Sequence, residues 1–158
     1  MKMKYILLFT MLPLMISAQH NAEFKNALRV SSSYSGYTGL TLNVGYEYFF
    51  TPKHSVIASG FSSRFSTGFT LGYRYNLLNF NRFEMGAGID FRNEIFYKSD
   101  LGVNNNLSQS FEPALEIKYN INKKISLFGG ANSTFYTSKS RREDFLLGRL
   151  SLGGVLKF

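Results

Sequence analysis

Apolar and polar residues alternate with a period of two through most of this chain. The final stretch shows the alternation most cleanly. Counting back in twos from the C-terminus gives Phe158, Leu156, Gly154, Leu152 and Leu150, while the other parity gives Lys157, Val155, Gly153, Ser151 and Arg149. Successive side chains of a strand point to opposite faces, so two unlike rows mean a strand lying between two unlike environments. The same reading predicts about eight strands. Asn26 to Tyr34 sets Leu28, Val30 and Tyr34 against Arg29, Ser31 and Ser33. Gly39 to Phe50 sets Leu40, Leu42, Val44, Tyr46, Tyr48 and Phe50 against Thr41, Asn43, Gly45 and Glu47. Ser55 to Phe65 places Ile57, Phe61 and Phe65 on the apolar face, opposite Ala58, Gly60, Ser62 and Arg64.

The second half of the chain repeats the pattern. Gly68 to Leu77 opposes Phe69, Leu71, Tyr73, Tyr75 and Leu77 to Thr70, Gly72, Arg74 and Asn76. Phe83 to Tyr97 opposes Phe83, Met85, Ala87, Ile89, Phe91, Ile95 and Tyr97 to Glu84, Gly86, Gly88, Asp90, Arg92 and Glu94. Phe111 to Ile121 opposes Phe111, Leu115, Ile117, Tyr119 and Ile121 to Glu112, Ala114, Glu116 and Lys118. Pro113 lacks a ladder donor, so it is expected near a strand end or a bulge. Ile125 to Tyr136 carries Ile125, Leu127, Ala131 and Phe135 against Ser126, Gly130, Asn132 and Thr134, with Phe128 and Tyr136 off pattern. Leu146 to Phe158 is the last strand. Short turns are predicted at Thr51 to His54, Asn79 to Arg82 and Asn122 to Lys124, and polar loops at Lys98 to Ser110 and Thr137 to Asp144.

Alternation alone fits a soluble barrel with its apolar face inward or a membrane barrel with that face outward. Three features favour the membrane. The polar face is rich in Gly, Ser, Ala and Thr, which suits a narrow interior. Aromatics sit at both ends of the apolar face, with Tyr48, Phe50, Tyr75, Phe83, Tyr119 and Phe158 at one end and Phe65, Phe69, Tyr97, Phe111 and Phe135 at the other. Such a double girdle matches two membrane interfaces. The chain also ends inside its last strand. Together these predict an all-β fold, an eight-stranded antiparallel up-and-down transmembrane β-barrel. With no water in hydrocarbon to satisfy backbone groups, only a closed sheet survives there.

Composition sharpens this picture. Tyr (10), Phe (16) and Gly (14) are frequent and Pro (3) is scarce, which favours strands and turns. Cysteine is absent, so disulfides, thiolate metal sites and a lipidated cysteine are excluded. Residues 1–18 read as a signal peptide: Lys2 and Lys4, an apolar run from Tyr5 to Ile16, then Ser17-Ala18 before Gln19. That leaves residues 19–158 as the barrel domain. Losing Lys2 and Lys4 lowers the formal charge from +8 to +6, 16 basic against 10 acidic residues. The charges are spread along alternating strands rather than massed in a patch, so no nucleic-acid partner is expected.

Candidate chemistry concentrates on the inward face. Arg29, Arg64, Arg74, Arg92, Lys118, Arg149 and Lys157 are expected there with Glu47, Glu84, Asp90, Glu94, Glu112 and Glu116. An unpaired charge in such a place costs several kcal/mol, so the expectation is a salt-bridged plug. A carboxylate metal site among Asp90, Glu94, Glu112 and Glu116 and a gated ion path are the alternatives. No metal or other cofactor is expected. His20 and His54 are the only histidines and fall in the N-terminal lead and a turn, so no catalytic residue is assigned and no enzymatic activity is expected. Lys139, Arg141 and Arg142 in the last loop are candidates for contact with lipopolysaccharide phosphates.

The final strand, with Leu150, Leu152, Leu156 and an aromatic last residue, Phe158, resembles the signal by which the outer-membrane assembly machinery recognises barrel proteins. The whole mature chain resembles the small OmpA-like and OmpX-like outer-membrane barrels. The resemblance implies an integral outer-membrane protein with both termini periplasmic, in contact with lipid and lipopolysaccharide and with other outer-membrane proteins. It implies a non-enzymatic structural, surface-contact or complex-subunit role. A narrow channel is the alternative, ahead of a lipid-modifying enzyme.

Overall fold

A computed structural model describes residues 24–36, 38–97, 107–136 and 148–158. Nine strand segments follow in order: β1 Asn26–Ser35, β2 Gly39–Thr51, β3 His54–Ser63, β4 Ser66–Phe80, β5 Phe83–Phe96, β6 Leu107–Asn120, β7 Ile125–Asn132, β8 Phe135–Tyr136 and β9 Arg149–Lys157. Each pairs antiparallel with its neighbour, and β9 pairs with both β7 and β1, which closes the sheet. Segments β7 and β8 lie along the same edge of β6 and form one stave, so the closed barrel has eight. An eight-stave barrel leaves an interior that side chains can fill.

The three predicted short turns share one end, each held by a local device, while the β3–β4 connection at the opposite end, Arg64-Phe65, is equally short. At Pro52-Lys53, the Thr51 hydroxyl accepts from the amides of Lys53 and His54 at 3.1 and 3.0 Å. At Asn81-Arg82, Asn81 adopts a φ of 58°, a left-handed conformation that asparagine tolerates. Asn122 Oδ1 accepts from the amides of Lys124 and Ile125, both at 2.8 Å. The amide of Phe158 bonds to the carbonyl of Asn26 at this same end. Two bulges also lie near it. Phe50 is the extra residue between Phe49–Ser55 and Thr51–His54, and Leu77 is the extra one between Asn76–Gly86 and Leu78–Met85. The second bulge turns both Leu77 and Leu78 outward.

Strand β3 is inverted relative to the sequence expectation. Ile57 and Phe61 are 7% and 4% exposed and point inward, while Val56, Ala58, Gly60 and Ser62 lie outside. The neighbours decide this. Directly paired residues share a face, and β2 has a strongly apolar outer row; its Leu42, Val44 and Tyr46 pair with Ser62, Gly60 and Ala58. Leu71 and Phe69 of β4 impose the same choice from the other side. Arg64 is corrected with the strand: it is exposed beyond the end of β3, its guanidinium 5.5 Å from the Phe65 ring centroid, and takes no part in the interior.

Pro113 also departs from expectation. It sits in the middle of β6, paired with Ile89 of β5 without a register shift. Its carbonyl accepts from the Ser133 amide at 3.0 Å, so its missing donor lies on that same side. The ladder there breaks at Ser133-Thr134, between β7 and β8. The neighbouring stave absorbs the proline. Of the predicted loop Lys98 to Ser110, residues Leu107 to Ser110 belong to β6, while 98–106 lie outside the described residues, as do the signal peptide and the loop bearing Lys139, Arg141 and Arg142.

Candidate functional site

The inward rows build three layers of buried charge. Nearest the short turns, Glu47 and Glu116 share the cations Arg29 and Lys118. Arg29 Nη1 reaches Glu47 Oε2 at 2.7 Å and its Nη2 pairs with Glu116, while Lys118 Nζ lies 3.3 Å from each carboxylate. Ser55 Oγ donates to Glu47 Oε1 at 2.6 Å. Glu47 is fully buried, and two acids against two bases leave this quartet neutral. Phe128 lies under it, with the Arg29 guanidinium 4.1 Å from its ring centroid. Phe128 packs in turn with Ala27 and Val155, and Phe49 borders the group.

At the middle, Arg74 grips Asp90 with both terminal nitrogens, Nη1–Oδ1 at 2.5 Å and Nη2–Oδ2 at 2.9 Å, and Asn132 Nδ2 donates to Oδ2 at 2.8 Å. This bidentate pair needs glycine beside it. A Cβ at Gly88 would lie 2.7 Å from Arg74 Cδ and collide with the Tyr73 carbonyl, and one at Gly72 would collide with Asp90 Oδ1.

Toward the other end are two forks. Arg92 reaches Glu94 through Nη2 at 3.1 Å and Nε at 3.3 Å, and Ser66 also donates to Glu94. Arg149 reaches Glu112 at 2.8 and 3.2 Å, with Ser110 and Thr134 hydroxyls on the same carboxylate. Arg92 is 1% exposed and lies 3.3 Å above the centroid of Phe61. That contact accounts for the inward Phe61: a guanidinium face stacks on an aromatic while its edge pairs with acid. Phe61 and Phe128 are the site residues that sequence reasoning missed, and the off-pattern position of Phe128 was the one available signal.

Glu84 lies half-buried near the short-turn mouth, accepting from Asn120 Nδ2 at 2.7 Å and Asn76 Nδ2 at 3.2 Å, with Lys157 Nζ at 3.9 Å. With Arg64 outside, the described interior holds six acids (Glu47, Glu84, Asp90, Glu94, Glu112, Glu116) and six bases (Arg29, Arg74, Arg92, Lys118, Arg149, Lys157). The four carboxylates considered for a metal are each engaged by a base instead: Asp90 by Arg74, Glu94 by Arg92, Glu112 by Arg149, and Glu116 by Arg29 and Lys118. His54 lies at the short-turn end against Tyr73 and Tyr75, its Nδ1 bonded to the Tyr73 hydroxyl.

The outer surface is the reverse. Leu40, Leu42, Leu150 and Leu152 are 64–68% exposed, and the apolar row continues around the barrel. Leu156 and Phe158 complete it on the last strand.

No protein family profile matches the sequence, and no curated protein does. Among solved structures, the N-terminal β-barrel domain of Pseudomonas aeruginosa OprF matches with a TM-score of 0.64 at 13% identity, over 86% of this chain and 100% of that one. The designed transmembrane barrel TMB2.3 matches at 0.60 and 13% identity, over 89% and 98% of the two chains. Neisserial surface protein A (NspA) matches at 0.51 and 14% identity, over 84% and 94%. This chain has the fold of the eight-stranded transmembrane β-barrels. The apolar row covers the exterior of this barrel, and the charge layers fill its lumen.

Proposed function

We propose that this protein is a non-enzymatic integral barrel of the outer membrane, acting as a structural element, a surface contact or a subunit of a larger envelope complex. One observation carries the reading: large apolar side chains lie on the exterior while Glu47 and Glu112 are wholly enclosed. That is a soluble protein turned inside out. The likeness of fold to OprF and NspA supports the outer membrane as its place, with the short turns and both ends of the described barrel toward the periplasm. In this reading the row Leu150, Leu152, Leu156 and Phe158 of β9 is what the assembly machinery reads, and the loop carrying Lys139, Arg141 and Arg142 meets lipopolysaccharide. Membrane fractionation followed by native co-purification in mild detergent tests this. Recovery in the outer membrane with a stable envelope partner is expected, and recovery as a water-soluble protein would end the proposal.

A narrow channel is the second reading, favoured by two hollows within the barrel. An open basin of about 640 Å³ at the short-turn mouth includes Glu84, Asn120 and Lys157, and a chamber of about 80 Å³ lies at mid-barrel. The Arg29–Lys118 quartet stands in the lumen toward the short turns. Discrete conductance steps in planar bilayers would favour the channel over the sealed barrel.

A further inference from the structure

The short-turn end of the barrel carries a collar of cations. Lys25 precedes β1, Lys53 lies in the β2–β3 turn, Arg82 in the β4–β5 turn, and Lys123 and Lys124 in the β6–β7 turn, so basic residues stand all around one rim. All five are exposed. Among the described residues no acid pairs with Lys25, Lys53, Arg82 or Lys124. Glu84 is the one described acidic side chain near that rim, and it is held within the mouth by Asn120, Asn76 and Lys157. Just below the collar, Tyr48, Phe50, Phe83 and Phe158 are exposed on the outer surface. Cations beyond a ring of aromatics follow the order of a bilayer surface, where aromatic rings lie at headgroup level and anionic lipid attracts Lys and Arg.

One point on the collar offers more than charge. Phe83 and Tyr119 pair across β5 and β6 with ring centroids 5.1 Å apart, and Arg82 Nη1 reaches the Tyr119 hydroxyl at 3.5 Å. The hydroxyl accepts there and keeps its own proton to donate, while the guanidinium uses one of its five N–H donors. An N–H fork beside an O–H, above two packed rings, suits the oxygens of a phosphate.

We propose, building on the membrane placement above, that this collar binds the headgroups of anionic phospholipids, with Arg82 and Tyr119 seating one phosphate. The distribution of the charges selects the partner. A protein or a soluble polyanion docks on one side of a rim and is served by a patch. A lipid leaflet surrounds the barrel and meets every turn at one height, which is how these cations are placed. The attraction acts within about a Debye length of the surface, so it needs the side chains at the rim itself.

The experiment reconstitutes the wild-type barrel in phosphatidylcholine vesicles holding a trace of spin-labelled phosphatidylglycerol or spin-labelled phosphatidylcholine. Electron spin resonance gives the fraction of each label held still against the protein. Phosphatidylglycerol is expected to be held in excess, each cation favouring the lipid before it on the order of fivefold. The excess should shrink between about 0.01 M and about 1 M sodium chloride, as the Debye length falls from about 30 Å to about 3 Å. Equal restriction of the two labels would overturn the proposal while leaving a lipid-facing barrel intact; no restricted label of either kind would overturn both. The triple variant Lys53→Gln, Arg82→Gln, Lys124→Gln changes only exposed turn residues and is expected to lose most of the excess. Arg82→Gln alone should remove more of it than Arg64→Gln, which removes an exposed cation from the opposite end. Equal losses from these two would show an effect of net charge and overturn the collar. Tyr119→Phe keeps the charge and the ring, and should lower the excess by the loss of its hydroxyl; an unchanged excess would overturn the phosphate seat at Arg82.

Discussion

Glu47 is the place to test whether the interior is a balanced charge network. It is fully buried and receives Arg29, Lys118 and Ser55. Glu47→Gln keeps the shape and removes the charge, leaving Glu116 alone between two cations. Breaking a buried pair by removing one partner costs about 3–5 kcal/mol, because the other charge stays enclosed and uncompensated. At about 1.4 kcal/mol per decade, that lowers the folded-to-unfolded ratio by roughly two to four orders of magnitude. Adding Lys118→Met removes the surplus cation and leaves Arg29 paired with Glu116. The double variant should therefore recover most of the loss, a positive coupling on the order of 0.5–3 kcal/mol or more. Urea titration of vesicle-embedded barrel, followed by far-ultraviolet circular dichroism, reads all four corners of the cycle. A single variant within about 0.5 kcal/mol of wild type, or a double no better than Glu47→Gln, would refute the idea that neutrality of the quartet matters.

Three further outcomes follow from the same geometry. Arg92→Ala leaves Glu94 enclosed with, among the described residues, only the Ser66 hydroxyl and strips the stacked face of Phe61; a loss of about 3 kcal/mol or more is expected, seen as a lower melting temperature by gel mobility. Gly88→Ala drives a methyl toward Tyr73 and Arg74 and should cost about 1–3 kcal/mol in urea titrations, whereas Gly129→Ala, where the nearest atom is 4.0 Å away, should cost less. Val44→Arg, on the 56% exposed outer face of β2, should cost about 2–4 kcal/mol in lipid vesicles if that face lies near the bilayer midplane. A near-neutral result, as on a water-facing surface, would count against lipid contact there.

How far the sequence could be read depended on contrast between the two rows of each strand. In β2 the rows differ sharply, Leu42, Val44 and Tyr46 against Asn43, Gly45 and Glu47, and the structure has the same faces. In β3 they do not. Ile57 and Phe61 compete with Val56 and Ala58, and a reading of that strand alone picks the wrong row, taking Arg64 with it. The missing information was carried by pairing: β2 and β4 each specify their faces, and β3 between them has to follow. An inward Phe61 is tolerable because Arg92 covers its ring, so the aromatic that misled the pattern is part of the charge network. The same logic explains Pro113, whose cost appears across the ladder at Ser133-Thr134, a place no local rule about β6 could point to. It also bears on the charge count. Placing Arg64 inside implied seven bases for six acids and one cation without a partner; placing it outside leaves six of each, which is the condition a closed, low-dielectric lumen imposes. The sheet topology thereby corrects the electrostatics: once the strand faces are set by their neighbours, the described interior is neutral.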